Sequence, residues 1–175
     1  MKTLFLFTLV GLLAACSTTE EKTLKPTTTT IPIWTCQFWI YIPVHSPIVL
    51  ASRNADTEAK KFLPVTDKAV LYIYRNQFIG SAWQIPITIN GQLIGNTGGF
   101  TFFRKALSPG EHTIESWADE PVEITLSLEA GKIYFVRQET STGFTQIRAK
   151  LHLVDEATGQ AGVNQSRLIL SETEL

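Results

Sequence analysis

The sequence predicts an all-β fold, a single antiparallel β-sandwich with a short helix before it. Three observations support this prediction. Apolar and polar residues alternate with a period of two in several segments after residue 69. Turn dipeptides such as Asn90-Gly91 and Pro109-Gly110 separate these segments. Hydrophobic residues make up 44% of the 175 residues and charged residues 18%, so the chain has enough apolar material for one core.

The short helix is predicted from a polar run over residues 54–61. Its acidic residues come first and its lysines come last, an order that complements the dipole of a helix. Pro64 cannot continue a helix. We therefore expect a brief helix that begins at Asn54 and ends near Phe62.

The strands are predicted from β-prone runs and from alternation. Asn90-Gly91 favours a two-residue turn, because both central positions of a type I′ turn need positive φ. Such a turn would pair Thr88 with Leu93 and Ile87 with Ile94. After Asp155 the pattern leaves two alternatives, a short C-terminal helix or a last edge strand over residues 163–170. The predicted strands cover residues 69–74, 85–89, the residues after Gly91, 100–107, 112–117, 122–128, 133–138 and 147–153.

The N-terminus has the order of a secretory signal peptide. Lys2 supplies a positive charge, and residues 3–13 form an apolar run that is too short to span a bilayer. Two small residues, Ala14 and Ala15, then precede Cys16. We therefore predict that residues 1–15 are a cleaved signal peptide.

The segment Leu13-Ala14-Ala15-Cys16 also resembles the lipobox of bacterial lipoproteins. The resemblance implies cleavage after Ala15, a thioether-linked diacylglycerol on Cys16 and acylation of the new amino group. Because Ser17 follows the cysteine, it also implies a location in the bacterial cell envelope, anchored in the outer membrane and facing the periplasm.

Two further segments lie between the cysteine and the predicted sandwich. Residues 16–30 are predicted to be the lipidated cysteine and a flexible tether, because residues 17–30 lack apolar periodicity. Residues 31–51 are rich in Trp, Tyr and Ile, and their three prolines argue against a regular helix. A buried strand with an apolar connector is the preferred interpretation, and a segment at the membrane interface or a membrane span are the alternatives. Residues 31–64 therefore hold this segment and the helix, and residues 65–170 hold the sandwich.

Five motifs carry a family resemblance: LYIYR (71–75), IPITINGQLIG (85–95), LSPGEHTIE (107–115), LEAGKIYFVRQE (128–139) and LVDEATG (153–159). Together they resemble the domain-of-unknown-function family numbered twenty-eight forty-six, whose members are mostly predicted lipoproteins. The strand that runs into Asn-Gly, followed by Leu-x-Pro-Gly-x-His, is also similar to the PEGA-type sandwiches of surface proteins. The family has no assigned reaction, so the resemblance implies fold and location only.

The sequence predicts no catalytic residue, no metal site and no cofactor. It lacks the Gly-x-Ser-x-Gly, His-Glu-x-x-His, Cys-x-x-Cys and phosphate-loop motifs. The spacing of His45, His112 and His152 does not bring the histidines together. Cys36 is expected to be buried and inert, with an intermolecular bridge or a second modification as the alternatives. A formal net charge of −1 argues against nucleic acid as a partner.

The function predicted from these observations is a lipid-anchored cell-envelope protein with a non-catalytic binding or tethering module. Its expected partners are the membrane, through the N-terminal lipid, and an envelope protein or a glycan. Phe100, Phe102 and Phe103 are expected to pack in the core, with a binding surface as the alternative. A small envelope hydrolase or isomerase that uses His112 or His152 is the alternative function. An assembly subunit that pairs through an exposed edge strand is a third interpretation.

Overall fold

The structure, a computed structural model, describes residues 48–143 and 146–171. The predictions for the signal peptide, Ala15, Cys16, the tether, Cys36 and His45 lie outside the described residues. Within the two described ranges, no helix is both long enough and apolar enough to cross a membrane.

The described residues form mostly β-strands, in two sheets, together with two short helices. The first helix comes before the strands, and the second lies between the last two strands. In chain order the elements are α1 (Arg53–Ala59), β1 (Ala69–Arg75), β2 (Ile85–Ile89), β3 (Gln92–Thr97), β4 (Thr101–Leu107), β5 (Gly110–Trp117), β6 (Pro121–Leu128), β7 (Ile133–Thr142), β8 (Ile147–Val154), α2 (Glu156–Asn164) and β9 (Arg167–Leu168).

The two sheets have the strand orders β8-β7-β1-β4-β9 and β3-β2-β5-β6. The prediction of a purely antiparallel arrangement is wrong, because β1 pairs with β7 in parallel and β4 pairs with β9 in parallel. After β1 the chain forms β2 and β3 of the second sheet, returns to the first sheet as β4 antiparallel to β1, and crosses again to form β5 and β6. It then enters β7, which runs alongside β1 in the same direction. Alternation along a strand indicates its buried face but carries no information about the direction of its neighbour.

A hydrophobic core lies between the two sheets. Leu71, Ile73 and Val136 contribute to it from the five-stranded sheet, and Ile87 and Ile114 contribute from the four-stranded sheet. All five side chains are fully buried. The two sheets therefore face each other across a shared apolar layer, in a sandwich-like arrangement.

A second core covers the other face of the five-stranded sheet. Tyr72 stacks on Phe135 with ring centroids 5.1 Å apart, and its hydroxyl donates a hydrogen bond to the Ala59 carbonyl at 2.6 Å. A Cβ on Gly162 would lie only 2.1 Å from the Tyr74 ring, so the glycine allows α2 to approach the sheet closely. Strand β1 is buried on both faces because the helices cover the side that the second sheet does not.

The helix predictions are largely confirmed. Helix α1 begins after Ser52, whose hydroxyl accepts a hydrogen bond from the Ala55 N–H at 3.2 Å. It ends at Ala59, earlier than expected. Lys60 follows the helix and forms an ion pair with Asp56 at 2.8 Å. Both alternatives after Asp155 occur, as helix α2 and then as the short strand β9.

The Asn90-Gly91 hairpin is confirmed except for one pair of residues. Asn90 has φ 52° and Gly91 has φ 74°, as a type I′ turn requires. Thr88 pairs with Leu93, as expected, but Ile87 pairs with Gly95 instead of Ile94. A β-bulge between Ile87 and Thr88 adds one residue to the opposite strand and shifts the register.

Candidate functional site: a supported apolar loop

The two most exposed large apolar side chains of the described residues lie in residues 76–84, which connect β1 to β2 and are called the β1–β2 loop below. Phe78 is 79% exposed, Ile79 is 65% exposed and Trp83 is 52% exposed. Single exposed apolar residues are common on protein surfaces, but a cluster of large ones on one loop is typical of a contact surface. The loop is therefore the candidate binding site.

Arg75 supports this loop from inside the protein. Leu71 and Ile73 point into the core between the sheets, and Arg75 lies on the same face, where its side chain is fully buried. Its guanidinium donates hydrogen bonds to the carbonyl oxygen of Trp83, at 2.8 Å, and to that of Gly80. Burial lowers the pKa of Arg75, and none of the ion pairs among residues 48–143 and 146–171 includes it. Carbonyl dipoles of the loop compensate its charge instead.

Other contacts fix the loop from the neighbouring strands. The N–H of Thr140 donates to the Gln77 side-chain oxygen at 2.6 Å, and the Thr140 hydroxyl donates to the Ile79 carbonyl at 3.3 Å. The N–H of Gly99 donates to the Ser81 carbonyl at 3.2 Å. The loop thus displays apolar side chains from a backbone that is held in one conformation.

Two glycines in the turn between β3 and β4 allow the loop to pack closely. A Cβ on Gly99 would lie 2.3 Å from the Cβ of Ser81 and 2.7 Å from the carbonyl oxygen of Gln77. A Cβ on Gly98 would lie 2.8 Å from Cδ1 of Ile48, the first described residue. Ile48 therefore lies against the turn that supports the loop.

The phenylalanines after this turn divide between core and surface. Phe102 and Phe103 are buried, which confirms their predicted core packing. Phe100 is 37% exposed and has φ 57°. It lies at the surface beside the glycine turn, so the alternative of a surface role applies to this residue alone.

A buried polar cluster lies between the sheets at the same end of β1 as the loop. Gln138 accepts a hydrogen bond from the Thr97 hydroxyl at 2.5 Å and donates one to the Ser116 hydroxyl at 2.7 Å. All three side chains have no solvent-exposed surface. Because each polar group has a partner, the cluster links the two sheets through directional bonds where apolar packing ends.

His112, one of the two histidines of the alternative function, has a structural role. The side-chain oxygen of Asn90 accepts from the Thr113 N–H at 3.0 Å, so its amide nitrogen faces His112 Nδ1 at 2.9 Å and donates to it. Nε2 of His112 then donates to the Ser108 carbonyl at 2.9 Å. Both ring nitrogens therefore join the Asn90-Gly91 turn to the turn before β5.

His152 lies apart from His112, on strand β8. Its Nε2 lies 3.3 Å from the Glu139 carboxylate, which also pairs with Arg137. The side chain of His152 is 45% exposed. The structure does not bring the two histidines together, and within the described ranges no three His, Cys, Asp or Glu residues are placed to hold a metal ion.

The sequence analysis did not predict the loop as a site. One signal was present: Arg75 is a single charged residue at the end of an otherwise apolar strand, in the motif LYIYR. A second signal is that residues 76–103 contain no Asp, Glu, Lys, Arg or His. Neither signal shows which side chains are exposed, because exposure depends on how the loop folds back over Arg75.

The fold and the site define a β-rich protein of two sheets that displays a supported apolar loop. A family model described as protein of unknown function DUF2846 matches residues 65–150. An uncharacterized protein from Haemophilus influenzae (strain ATCC 51907 / DSM 11121 / KW20 / Rd) is 32% identical to this chain over 126 residues, which are 71% of this chain and 75% of the relative. The chain belongs to the DUF2846 family, and its β1–β2 loop lies inside the matched residues.

Proposed function

We propose that this chain is a lipid-anchored cell-envelope protein whose domain is a β-sandwich that binds or tethers without catalysis. The observation that carries the proposal is the β1–β2 loop, because it exposes Phe78, Ile79 and Trp83 on a backbone held by partly buried hydrogen bonds. Exposing such side chains to water costs free energy that a contact would recover. A binding surface is the simplest use of this arrangement.

The anchoring part of the proposal is supported by the N-terminal sequence. A charged residue, a short apolar run and two alanines before Cys16 are typical of an exported, lipidated chain. Each buried methylene of an attached chain contributes about 0.8 kcal/mol, and stable anchoring needs more than one chain. A diacylglycerol on Cys16 would therefore hold the domain at the outer membrane, where its partner would be an envelope protein, a glycan or the membrane itself.

Metabolic labelling tests the anchor directly. Cells that express the chain are fed an alkyne-tagged palmitate, and the purified protein is examined for the tag and for its N-terminal mass. The parent chain and the Cys36→Ala variant should both carry lipid on Cys16. The Cys16→Ala variant should carry none and should accumulate as a precursor that retains residues 1–15. Unchanged processing and membrane fractionation of Cys16→Ala would contradict the proposal.

The alternative function, a small envelope hydrolase or isomerase, rests on one contact. His152 has the Glu139 carboxylate within 3.3 Å, an arrangement that a general base requires. The ring is half exposed on a strand, and His112 is occupied by structural hydrogen bonds. If the chain hydrolyses generic ester substrates, His152→Asn should abolish the activity and Lys150→Asn should not. Loss in the first variant alone would replace the binding proposal with the catalytic one.

A further inference from the structure

We propose that the β1–β2 loop is a membrane-contacting surface, which places Phe78, Ile79 and Trp83 in the interfacial layer of a lipid bilayer. The inference rests on the proposed function for the nearness of a bilayer. It adds a second, non-covalent contact to the one through Cys16, and it names lipid as the partner of the loop.

The charge pattern around the loop favours lipid. Residues 76–103 contain no ionisable side chain of the Asp, Glu, Lys, Arg or His types, so the loop and the glycine turn can approach a bilayer without moving a charge out of water. Trp is among the residues enriched at the membrane interface, where an amphipathic ring can keep its polar edge hydrated. Phe78 and Ile79, the most exposed of the three, would go deepest.

The hydrogen bonding of the loop also favours lipid. A backbone carbonyl that enters an apolar layer must already have a partner, because no water is available there. The carbonyls of Phe78, Ile79, Gly80, Ser81 and Trp83 all accept hydrogen bonds from within the domain. Contact with lipid would therefore cover apolar side chains without leaving these groups unpaired.

The position of Ile48, the first described residue, supports the same occupant. Ile48 contacts the glycine turn beside the loop, and the residues that precede it belong to the apolar segment 31–51. If residues 17–30 form the tether predicted from the sequence, flexible-chain scaling gives them an end-to-end distance of about 20 Å. A domain anchored through Cys16 would thus stay close enough to the bilayer for the loop to reach it.

Acidic residues at the same end limit how far the domain would enter. Asp119 and Glu120 follow β5, whose Ser116 pairs with Ile87 near the start of β2. These carboxylates would remain in water, so the contact is shallow. It should also depend little on salt or on anionic lipid, because the loop carries no charge to be attracted.

A site-specific probe on the full chain tests the inference. In a Cys36→Ser background that keeps Cys16, the substitution Ile79→Cys or Leu63→Cys adds one cysteine, which is labelled with an environment-sensitive fluorophore. Leu63 is an apolar residue that is 59% exposed. It lies before β1, whereas the β1–β2 loop lies after β1, so Leu63 is the matched control. The protein is reconstituted into phosphatidylcholine vesicles with and without phosphatidylglycerol, some of which contain nitroxide-labelled lipid.

The probe at residue 79 should shift its emission to the blue and be quenched by the nitroxide lipid, in both lipid mixtures. The probe at residue 63 should do neither. Adding Phe78→Ser should move the insertion equilibrium of the loop toward water about tenfold, because a Phe side chain loses its apolar burial. Identical behaviour of the two probes would overturn the inference.

The same samples separate this inference from the proposed function. Their intact mass reports whether Cys16 carries lipid, and a free Cys16 would also take up fluorophore. Lipid on Cys16 with a residue-79 probe that stays in water overturns the inference and leaves the anchor standing. An unmodified Cys16 together with a residue-79 probe that enters lipid overturns the anchor and leaves the inference standing. Shielding of the probe by envelope extract but not by vesicles would overturn lipid as the occupant and indicate a protein.

Discussion

The two ends of strand β1 expose opposite chemistry. At the end that begins with Ala69, the surrounding turns carry charged side chains, and Lys132 forms an exposed ion pair with Glu129 at 2.8 Å. At the end that closes with Arg75, the connecting loop carries exposed apolar side chains, and the charge is buried beneath it. The same central strand thus has a hydrated end and an end whose surface is apolar.

This difference separates a solubilising surface from a contact surface. Charged side chains at the Ala69 end stay in water and need no internal support. The apolar end needs a buried cation, a side-chain hydrogen bond from Thr140 and a glycine turn to keep its loop in place. Such support is useful where a loop must present side chains in a fixed arrangement to a partner.

Replacing Arg75 should have the largest effect. In Arg75→Met the carbonyls of Gly80 and Trp83 lose their partner inside the protein. We expect a loss of about 3–5 kcal/mol in the free energy of unfolding, the usual range when one partner of a buried charged contact is removed. Urea denaturation of the full chain measures this loss, and chymotrypsin should cleave sooner at Phe78 or Trp83.

Two further variants serve as controls for the effect of Arg75→Met. Arg53→Met removes an exposed arginine of α1 and should change stability by less than about 0.5 kcal/mol. Arg75→Lys keeps a charge but cannot present the guanidinium fork, so it should fall between the parent and Arg75→Met. Equal stability of Arg75→Met and the parent would show that the loop does not depend on this side chain.

The glycines at the two ends of β1 provide the second prediction. Gly99→Ala would force its Cβ against Ser81 and the Gln77 carbonyl, and should lower the free energy of unfolding by about 2 kcal/mol. Gly131→Ala at the other end meets no atom within 4 Å but has φ +75°, and should cost about 1 kcal/mol. Only Gly99→Ala should increase cleavage of the β1–β2 loop, as measured by limited proteolysis. Equal cleavage in both variants would argue that the glycine turn does not support the loop.

The third prediction concerns the stability of the protein in acid. The contact between helix α1 and strand β9, near the Arg75 end of β1, depends on the Asp56 carboxylate. Burial by itself would raise the pKa of Asp56, but hydrogen bonds from Lys60 and the Leu168 N–H, with the nearby charges of Lys60 and Arg167, hold it below its usual value. A lowered folded-state pKa stabilises the fold above the unfolded value, near pH 4, and this contribution is lost as pH falls through the folded value.

The Asp56→Asn variant measures that contribution. It should be about 2 kcal/mol less stable than the parent near pH 6, because hydrogen bonds to a charged group are weakened or lost. The gap should narrow as the pH falls below about 5, because the unfolded parent then binds a proton at Asp56 that the folded parent does not yet bind. Denaturation midpoints of both chains across this range provide the comparison, and a gap that widens on acidification would contradict the prediction.

The smallest effect is expected at the charged end of β1. Lys132 and Glu129 are both more than half exposed, and solvent screens such pairs strongly. Lys132→Met should therefore leave the urea midpoint of the full chain unchanged. A clear destabilisation would mean that the Ala69 end also depends on internal electrostatic support, and the contrast between the two ends would weaken.

The sequence predicted the strands well because the relevant signals are local. The Asn90-Gly91 turn, the alternation in β6 and the strand before Arg75 all depend on neighbours within a few residues. It did not predict the parallel pairing of β1 with β7. That pairing joins residues more than sixty positions apart, and no local pattern records the direction of a distant strand.

The candidate site shows the same division. The position of Arg75 at the end of an apolar strand, the absence of charge over residues 76–103 and the signal-like N-terminus are properties of the sequence itself. Only the tertiary structure decided that Arg75 points between the sheets, that its guanidinium binds the carbonyls of the following loop, and that Phe78 and Trp83 remain outside. The physical reason is that burial and hydrogen bonding depend on which distant strands cover a residue, whereas turn geometry and β-propensity depend on the residue and its immediate neighbours.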